Sequence, residues 1–431
     1  MVKLAPLKKR DLPEAIPLKK LIGPSFILLG LGLGSGELIL WPYLAANYGL
    51  GIMWGALLGI TFQFFINMEI ERYALVTGES VFVGLARKLK TFSPIWFILS
   101  TLIPWMWPGI IASSAILIAT ILGIPYTPLL PILLLILIGV ALTLGPVIYK
   151  TQEAFQRTLI MVGVPFVFVL TLILSKPVDW QTLGQGLVGI GDGFYFLPAG
   201  ISIATFLGAF AYAGAGGNLN LAQSFYIKEK GYGMGKFSGR ITSILTGKKE
   251  KIALEGTTFE CNEKNLNCFK RWWRRINIEH ALVFWATGAI SMIVLSLLAY
   301  LTVYKNPTTT TGIEFVITEA SVIASRTLPI LGTTFLIVAS LMLFSTQFSV
   351  LDATSRIMSE NLVILSERFK VKNLSKYFYI FLWVQIVAGI IIFSLGFTQP
   401  LTLVVLGASL NAIAMFFYTG YMLWLNLTSL D

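Results

Sequence analysis

Polar positions in this chain fall in short clusters, separated by apolar stretches too long for the helices of an ordinary soluble domain. Ten such stretches lie at approximately 21–48, 50–74, 95–122, 126–148, 158–175, 197–226, 281–303, 328–351, 377–397 and 399–424. A helix rises 1.5 Å per residue, so about 20 apolar residues cross a hydrocarbon layer of roughly 30 Å. The pattern therefore predicts an all-α polytopic membrane protein with ten spans. Residues 1–20 are polar and the apolar run behind them is too long for a signal-peptide core, so they read as a cytosolic N-terminal segment.

Composition agrees with that reading. Of 431 residues, 56% are hydrophobic and 12% charged, about half the charged share of soluble domains, and the mean hydropathy is +0.78. The formal charge of +11 is unevenly placed. With the N-terminus inside, 29 of the 32 Lys and Arg residues fall on the cytoplasmic side, and only Lys176, Lys305 and Arg326 fall opposite. This is the positive-inside bias of a multi-pass protein of the cytoplasmic membrane, so the basic balance needs no nucleic-acid partner. The bilayer is the expected partner, and no obligate protein partner is evident.

Two spans carry unusual interiors. Span 1 holds Gly30, Gly32, Gly34 and Gly36, then Glu37 and Pro42; span 6 holds Gly214, Gly216, Gly217 and Asn218 at a comparable depth. Glycine costs about 1 kcal/mol relative to alanine inside a helix, so each cluster predicts a break. A break in lipid is tolerated only beside protein or a watery cavity. Spans 1 and 6 each open a set of five (21–176 and 197–426), and five being odd, the sets enter from opposite sides. Paired breaks in an inverted 5+5 repeat point to a secondary transporter's midplane site. Packing through small residues accounts for the glycines but not for Glu37. As the seventeenth residue of a 28-residue span, Glu37 sits where a carboxylate costs several kcal/mol and normally faces a polar path or a partner. It is also placed to cap the second half of a broken helix, where the dipole favours negative charge.

Other polar positions read more quietly. Ser345, Thr346, Gln347 and Ser349 form a stripe in span 8, and Ser409 and Asn411 lie in span 10; each reads first as an interhelical hydrogen bond and second as part of an ion site or gate. Asp352 and Arg356 have the spacing of a local ion pair. Glu69, Glu71 and Arg72 close span 2 in a solvated or gate-like group, and His280, the single histidine, reads as a surface residue at the edge of span 7. The cytosolic connection at about 227–277 holds Cys261 and Cys268, too few ligands for a structural zinc site. Its Trp272–Trp273 pair reads as an interfacial anchor. The glycine-rich stretch 231–240 lacks the order of a phosphate loop.

Gly23-Pro24 through Gly49, a second helix ending in LVTGES and the TQFSVLDATSR segment of span 8 resemble the Nramp family of divalent-metal transporters over most of the chain. The resemblance implies the LeuT-type inverted-repeat fold with helices 1 and 6 broken. The family's Asp-Pro-Gly-Asn motif falls on Gly34, Ser35, Gly36 and Glu37, so the carboxylate moves from the first motif position to the fourth. Its Met-Pro-His motif falls within Ala213, Gly214, Ala215, Gly216 and Gly217, and span 6 has neither methionine nor histidine. The tenth-helix glutamine of relatives falls on Ser409. The third-helix acid and ninth-helix arginine of the family's proton route have no counterpart in spans 3 and 9. Family members often carry eleven helices, whereas ten are legible up to Asp431; a sequence stopping short of its own end would account for this.

An oxygen-only site suits magnesium, calcium or manganese rather than softer metals. The leading expectation is thus a secondary transporter moving a small hard divalent cation. Its ligands would come from Gly34 to Glu37 and from Ala213 to Asn218, with proton or sodium coupling and no resident cofactor. The alternative keeps the fold and changes the cargo to a small organic solute such as an amino acid, sodium-coupled through Ser345, Thr346 and Ser349. A membrane-embedded enzyme lacks the clustered ligands its chemistry requires, so the chain is not read as an enzyme. A channel would need unsaturating uptake to reveal it.

Overall fold

The computed structural model describes residues 2–18, 21, 23–144, 148–191, 193–238, 254–304 and 312–430. The stretch 239–253 of the expected cytosolic connection, and Lys19, Lys20 and Lys305 of the charge count, lie outside these.

Each of the ten apolar stretches holds helix. Among the described residues, eight helices are long and apolar enough to span a bilayer: Pro24–Tyr48 (span 1), Leu50–Thr77 (span 2), Phe92–Leu122 (span 3), Glu153–Leu174 (span 5), Glu263–Tyr304 (span 7), Pro329–Leu365 (span 8), Val371–Ser394 (span 9) and Pro400–Ser429 (span 10). Span 4 is the shorter Leu129–Leu144. Span 6 is divided into Ile203–Ala211 and Gln223–Lys230. Large apolar side chains such as Phe62, Leu137, Val162 and Phe416 face outward, as expected where the surroundings are acyl chains. Local chemistry sets several ends. Ser80 and Ser202 accept the backbone N–H three residues on, and Gly78 closes span 2 in the left-handed conformation, which a residue without Cβ adopts freely.

Side assignments follow from contacts. Residues 2–18 lie along one face: Val2 N–H donates to Ile364 O, Lys8–Lys9 pair in parallel with Thr257–Thr258, and Trp272 Nε1 donates to Pro13 O. The opposite face joins the start of span 2 to the connection before span 6 through Trp54 Nε1 and Phe196 O. Trp272 is thus a buried clamp on the N-terminal segment instead of the interfacial anchor expected of it. Span 7 also starts earlier than its apolar stretch, because the amphipathic helix Glu263–His280 runs directly into it.

Spans 1 and 6 meet at the centre. A Cβ on Gly32 would lie 2.7 Å from the Gly214 carbonyl carbon, and one on Gly36 would collide with the Tyr212 carbonyl oxygen. Only glycine permits backbones this close. The two five-span sets repeat their contacts in an inverted sense. Span 1 is tied to span 8 by Thr346, and span 6 is tied to span 3 by Asn218. Gly30 of span 1 abuts the Gln156 amide of span 5, and Gly217 of span 6 abuts the Asn411 amide of span 10.

Candidate functional site

Of the two expected breaks, the one in span 6 is present and the one in span 1 is not. Span 6 is unwound from Tyr212 to Gly216, where Gly216 (φ 74°) and Gly217 (φ 52°) take left-handed conformations, and resumes as a 3-10 turn over Gly217–Ala222. In span 1 the expected break is a wide helical turn: Leu33–Leu40 is π-helical and the chain stays wound. None of its four glycines has positive φ, so nothing forces it open. A π-helical stretch still removes regular i→i−4 bonding, and such stretches frequently mark functional sites.

Span 1 is buried at every position except Phe26, Tyr43, Asn47 and Tyr48. Its successive residues therefore address different neighbours. Gly32 and Gly36 face the unwound part of span 6. Gly34 faces span 8, where its N–H donates to Thr346 Oγ1 at 2.9 Å and that hydroxyl donates to Gly30 O at 2.9 Å. Ser35 Oγ turns back to Gly32 O at 3.4 Å. Glu37 is fully buried, and neither carboxylate oxygen has a hydrogen-bond partner among the described residues. Its Oε1 would lie 3.4 Å from a Cβ on Gly288 of span 7, a position also flanked by Ile60 and Leu29. The motif residues thus share a depth but not a direction, and Glu37 looks toward spans 2 and 7.

Gln63 of span 2 stitches the gap in span 6. Its Nε2 donates to Ala211 O at 2.9 Å, and its Oε1 accepts from Gly216 N–H at 3.3 Å and from Asn220 Nδ2 at 3.1 Å. Gly288 of span 7, which faces Glu37 of span 1, gives space and no side-chain hydrogen bond. That contrast leaves Glu37 bare. Ala213 packs on Gly59, Gly214 lies against Gln63 and Phe284, and Ala215 is buried. Asn218 turns away, with Nδ2 donating to Ser100 and Thr101 of span 3 at 2.8 and 2.9 Å.

In the stripe of span 8, Gln156 of span 5 donates to Ser345 O at 3.2 Å and to Ser349 Oγ at 2.6 Å. Gln347 lines a small cavity with Trp105, Trp107, Ile110, Tyr212 and Gly407. Trp105 and Tyr212 stack with centroids 5.3 Å apart and planes 6° apart, and Asn411 Nδ2 donates to Tyr212 OH at 2.8 Å. Ser409 is half-buried and donates to Val405 O and Ala204 O, away from Glu37. Asp352 and Arg356 pair as expected at 2.9 Å, and Glu229 of span 6 joins the guanidinium as a third member. Among the described residues no three His, Cys, Asp or Glu side chains are grouped to hold a metal ion. His280 corrects its sequence reading: it is fully buried, because helix Glu263–His280 continues the span outward and carries the edge with it.

Sequence reasoning did not single out Gln63, Gln156 and Gly288. The two amides had a usable signal, since an amide in an apolar span seeks an interhelical partner.

No family model matches the chain, and no curated protein matches it. Solved structures do. A manganese transporter of Eremococcus coleocola, in a form with one histidine replaced by alanine, superposes with a TM-score of 0.64 at 15% identity over 94% of this chain and 80% of that one. A second form of that transporter, with one glutamate replaced by glutamine, gives the same score and identity over 95% and 80%. Mhp1, a nucleobase-cation-symport-1 family transporter closed on bromovinylhydantoin, superposes with a TM-score of 0.56 at 13% identity over 95% and 79%. These likenesses show the fold: a multi-pass helical membrane protein with the 5+5 inverted repeat of the LeuT type.

Proposed function

We propose that the protein is a secondary transporter of the cytoplasmic membrane, with its N-terminus inside, that carries a small hard divalent cation past Glu37 by alternating access. One observation carries the reading: a carboxylate fully buried at mid-membrane, beside the contact of spans 1 and 6, with both oxygens unpartnered. An uncompensated charge in that position is too costly to keep, so the carboxyl is either protonated or charged against a bound cation, and exchange between the two is what a cation carrier requires. A single carboxylate matches the way Mg²⁺-like ions bind, through one or two carboxylates while several waters are retained. The fold is shared with a manganese transporter, which supports the choice of cargo class. Of the hydroxyls a sodium site would need, Ser349 Oγ is held by Gln156 and Thr346 Oγ1 by span 1, while Ser345 Oγ has no hydrogen-bond partner among the described residues.

A second reading rests on a separate observation, the cavity lined by Trp105, Tyr212 and Gln347. The cavity has a volume of about 10 Å³, room for one water, so it would have to widen to admit an organic solute such as the one Mhp1 holds on the same fold. Proteoliposome uptake separates the two. Saturable Mn²⁺ or Mg²⁺ uptake that Glu37→Gln reduces at least tenfold and Trp105→Ala leaves in place supports the cation reading. Uptake of a labelled hydantoin or nucleobase, lost in Trp105→Ala and indifferent to divalent metal, replaces it.

A further inference from the structure

A second group of ionisable side chains is buried on the face that carries residues 2–18, and nothing in the cation reading uses it. Glu71 of span 2, Glu279 and His280 of span 7, and Ser25 of span 1 are all buried, at 1%, 6%, 0% and 0% exposure. They are joined by hydrogen bonds. Ser25 Oγ donates to Glu279 Oε2 at 2.5 Å and lies 3.0 Å from His280 Nδ1, which is itself 3.1 Å from Glu71 Oε1. Gln223 of span 6 donates to Glu71 Oε1 at 2.6 Å. With the serine proton turned to Glu279, Nδ1 is the donor to Ser25 or Glu71. That leaves His280 Nε2, Glu71 Oε2, Glu279 Oε1 and both amide atoms of Asn67 buried and unpartnered. Other charged or titratable groups around the cluster are Tyr232 and the Lys230–Glu153 ion pair, the latter closed at 2.8 Å.

Two acids and an imidazole withdrawn from water cannot all carry independent charge. Hydrogen-bonded to one another, they titrate as a unit and hold a proton in several nearly equivalent places. Three such groups could in principle ligate a metal, but among the described residues no set converges for one. A proton is the ligand this geometry fits.

The position links the group to Glu37. His280, Phe284 and Gly288 follow one another at four-residue spacing on one stripe of span 7. Phe284 stacks on the imidazole with centroids 4.8 Å apart, and a Cβ on Gly214 would lie 2.9 Å from its ring; Gly288 faces the Glu37 carboxylate. Eight residues of helix amount to roughly 12 Å, with one phenyl ring between. The intervening Ala281–Ala286 is π-helical.

We propose that Glu71, Glu279 and His280, bridged by Ser25, form a proton-binding site whose occupancy is coupled through span 7 to that of Glu37. The site stands on its own geometry; only the coupling rests on the cation reading.

The chain's single histidine makes the test direct. Protein labelled with ¹⁵N-histidine in lipid nanodiscs gives one imidazole to follow by NMR against pH. The expected result is an imidazole spectrum that changes with pH as the group takes up a proton, with a midpoint moved by at least one pH unit in Glu71→Gln and in Glu279→Gln. Two variants are used so that a folding failure in one leaves the other. An imidazole spectrum constant from pH 5 to 9, or a midpoint indifferent to both variants, overturns the site. Adding Mg²⁺, a diamagnetic ion that leaves the imidazole resonance sharp, is expected to shift the midpoint in the wild type and not in Glu37→Gln. A titrating imidazole that ignores Mg²⁺ in the wild type, in protein whose uptake still depends on Glu37, overturns the coupling and leaves the proton site and the cation reading standing; loss of that dependence overturns the cation reading.

Discussion

The space in front of the Glu37 carboxylate is set by the absent side chain at position 288. A methyl at 288 would meet Ile60 Cδ1 at 2.6 Å and Leu29 Cδ1 at 3.0 Å, far ends of side chains that can yield. Gly288→Ala is therefore expected to keep fold and uptake. Gly288→Leu should fill the space before Glu37, abolishing saturable Mn²⁺ uptake in proteoliposomes while leaving the melting temperature within a few degrees. Glu37→Gln should fold at least as stably as the parent, because an unpaired buried acid is replaced by an amide; a thermal shift assay checks this. Glu37 was legible in the sequence because a carboxylate inside an apolar run is itself the signal. Gly288 was not, since a glycine in a membrane helix reads as packing until its neighbour is known. His280 was misplaced for a related reason: burial at a span's edge depends on what packs there, and the edge was moved by a helix the apolar pattern did not include.

At the scale of elements, spans 1 and 6 show why glycine spacing matters beyond glycine number. In span 1 the glycines alternate with leucine and serine and the helix stays wound, broadened into a π-helical turn. In span 6 Gly216 and Gly217 are adjacent, both take left-handed conformations, and the helix opens. The glycine count predicted a break in both spans, and only the adjacent pair in span 6 produced one. Gly36→Ala is expected to destabilise severely, because the new Cβ falls on the Tyr212 backbone carbonyl, which cannot swing aside. Gly420→Ala in span 10, whose Cβ would meet nothing within 4 Å, serves as the control and should be neutral or stabilising by about 1 kcal/mol. Comparing detergent-solubilised yield and melting temperature for the pair checks the claim. Gln63→Leu leaves Gly216 N–H and Ala211 C=O unpaired in a buried setting, and is expected to lower stability by about 1–3 kcal/mol.

Across the whole molecule, span 8 gathers polar contacts from several other spans. Thr346 joins spans 1 and 8, Gln156 joins spans 5 and 8, and Arg356 joins span 8 to the second half of span 6 through Asp352 and Glu229. Arg356→Ala strands two buried acids, so a loss of about 3–5 kcal/mol is expected, read as a drop in melting temperature that Glu229→Gln alone does not reproduce in full. The helical membrane fold, the interruption of span 6 and the inverted repeat were legible in the sequence, because hydropathy and glycine clusters are encoded locally. Which polar groups meet was not, because interhelical partners are set by packing.

The central claim is that an ion occupies the space before Glu37, and the most direct measurement is anomalous X-ray diffraction from crystals of the protein soaked in Mn²⁺. The expected result is an anomalous peak within bonding distance of the Glu37 carboxylate, absent from Glu37→Gln crystals treated identically. A peak elsewhere in the helical bundle, or one that persists in Glu37→Gln, would contradict the account.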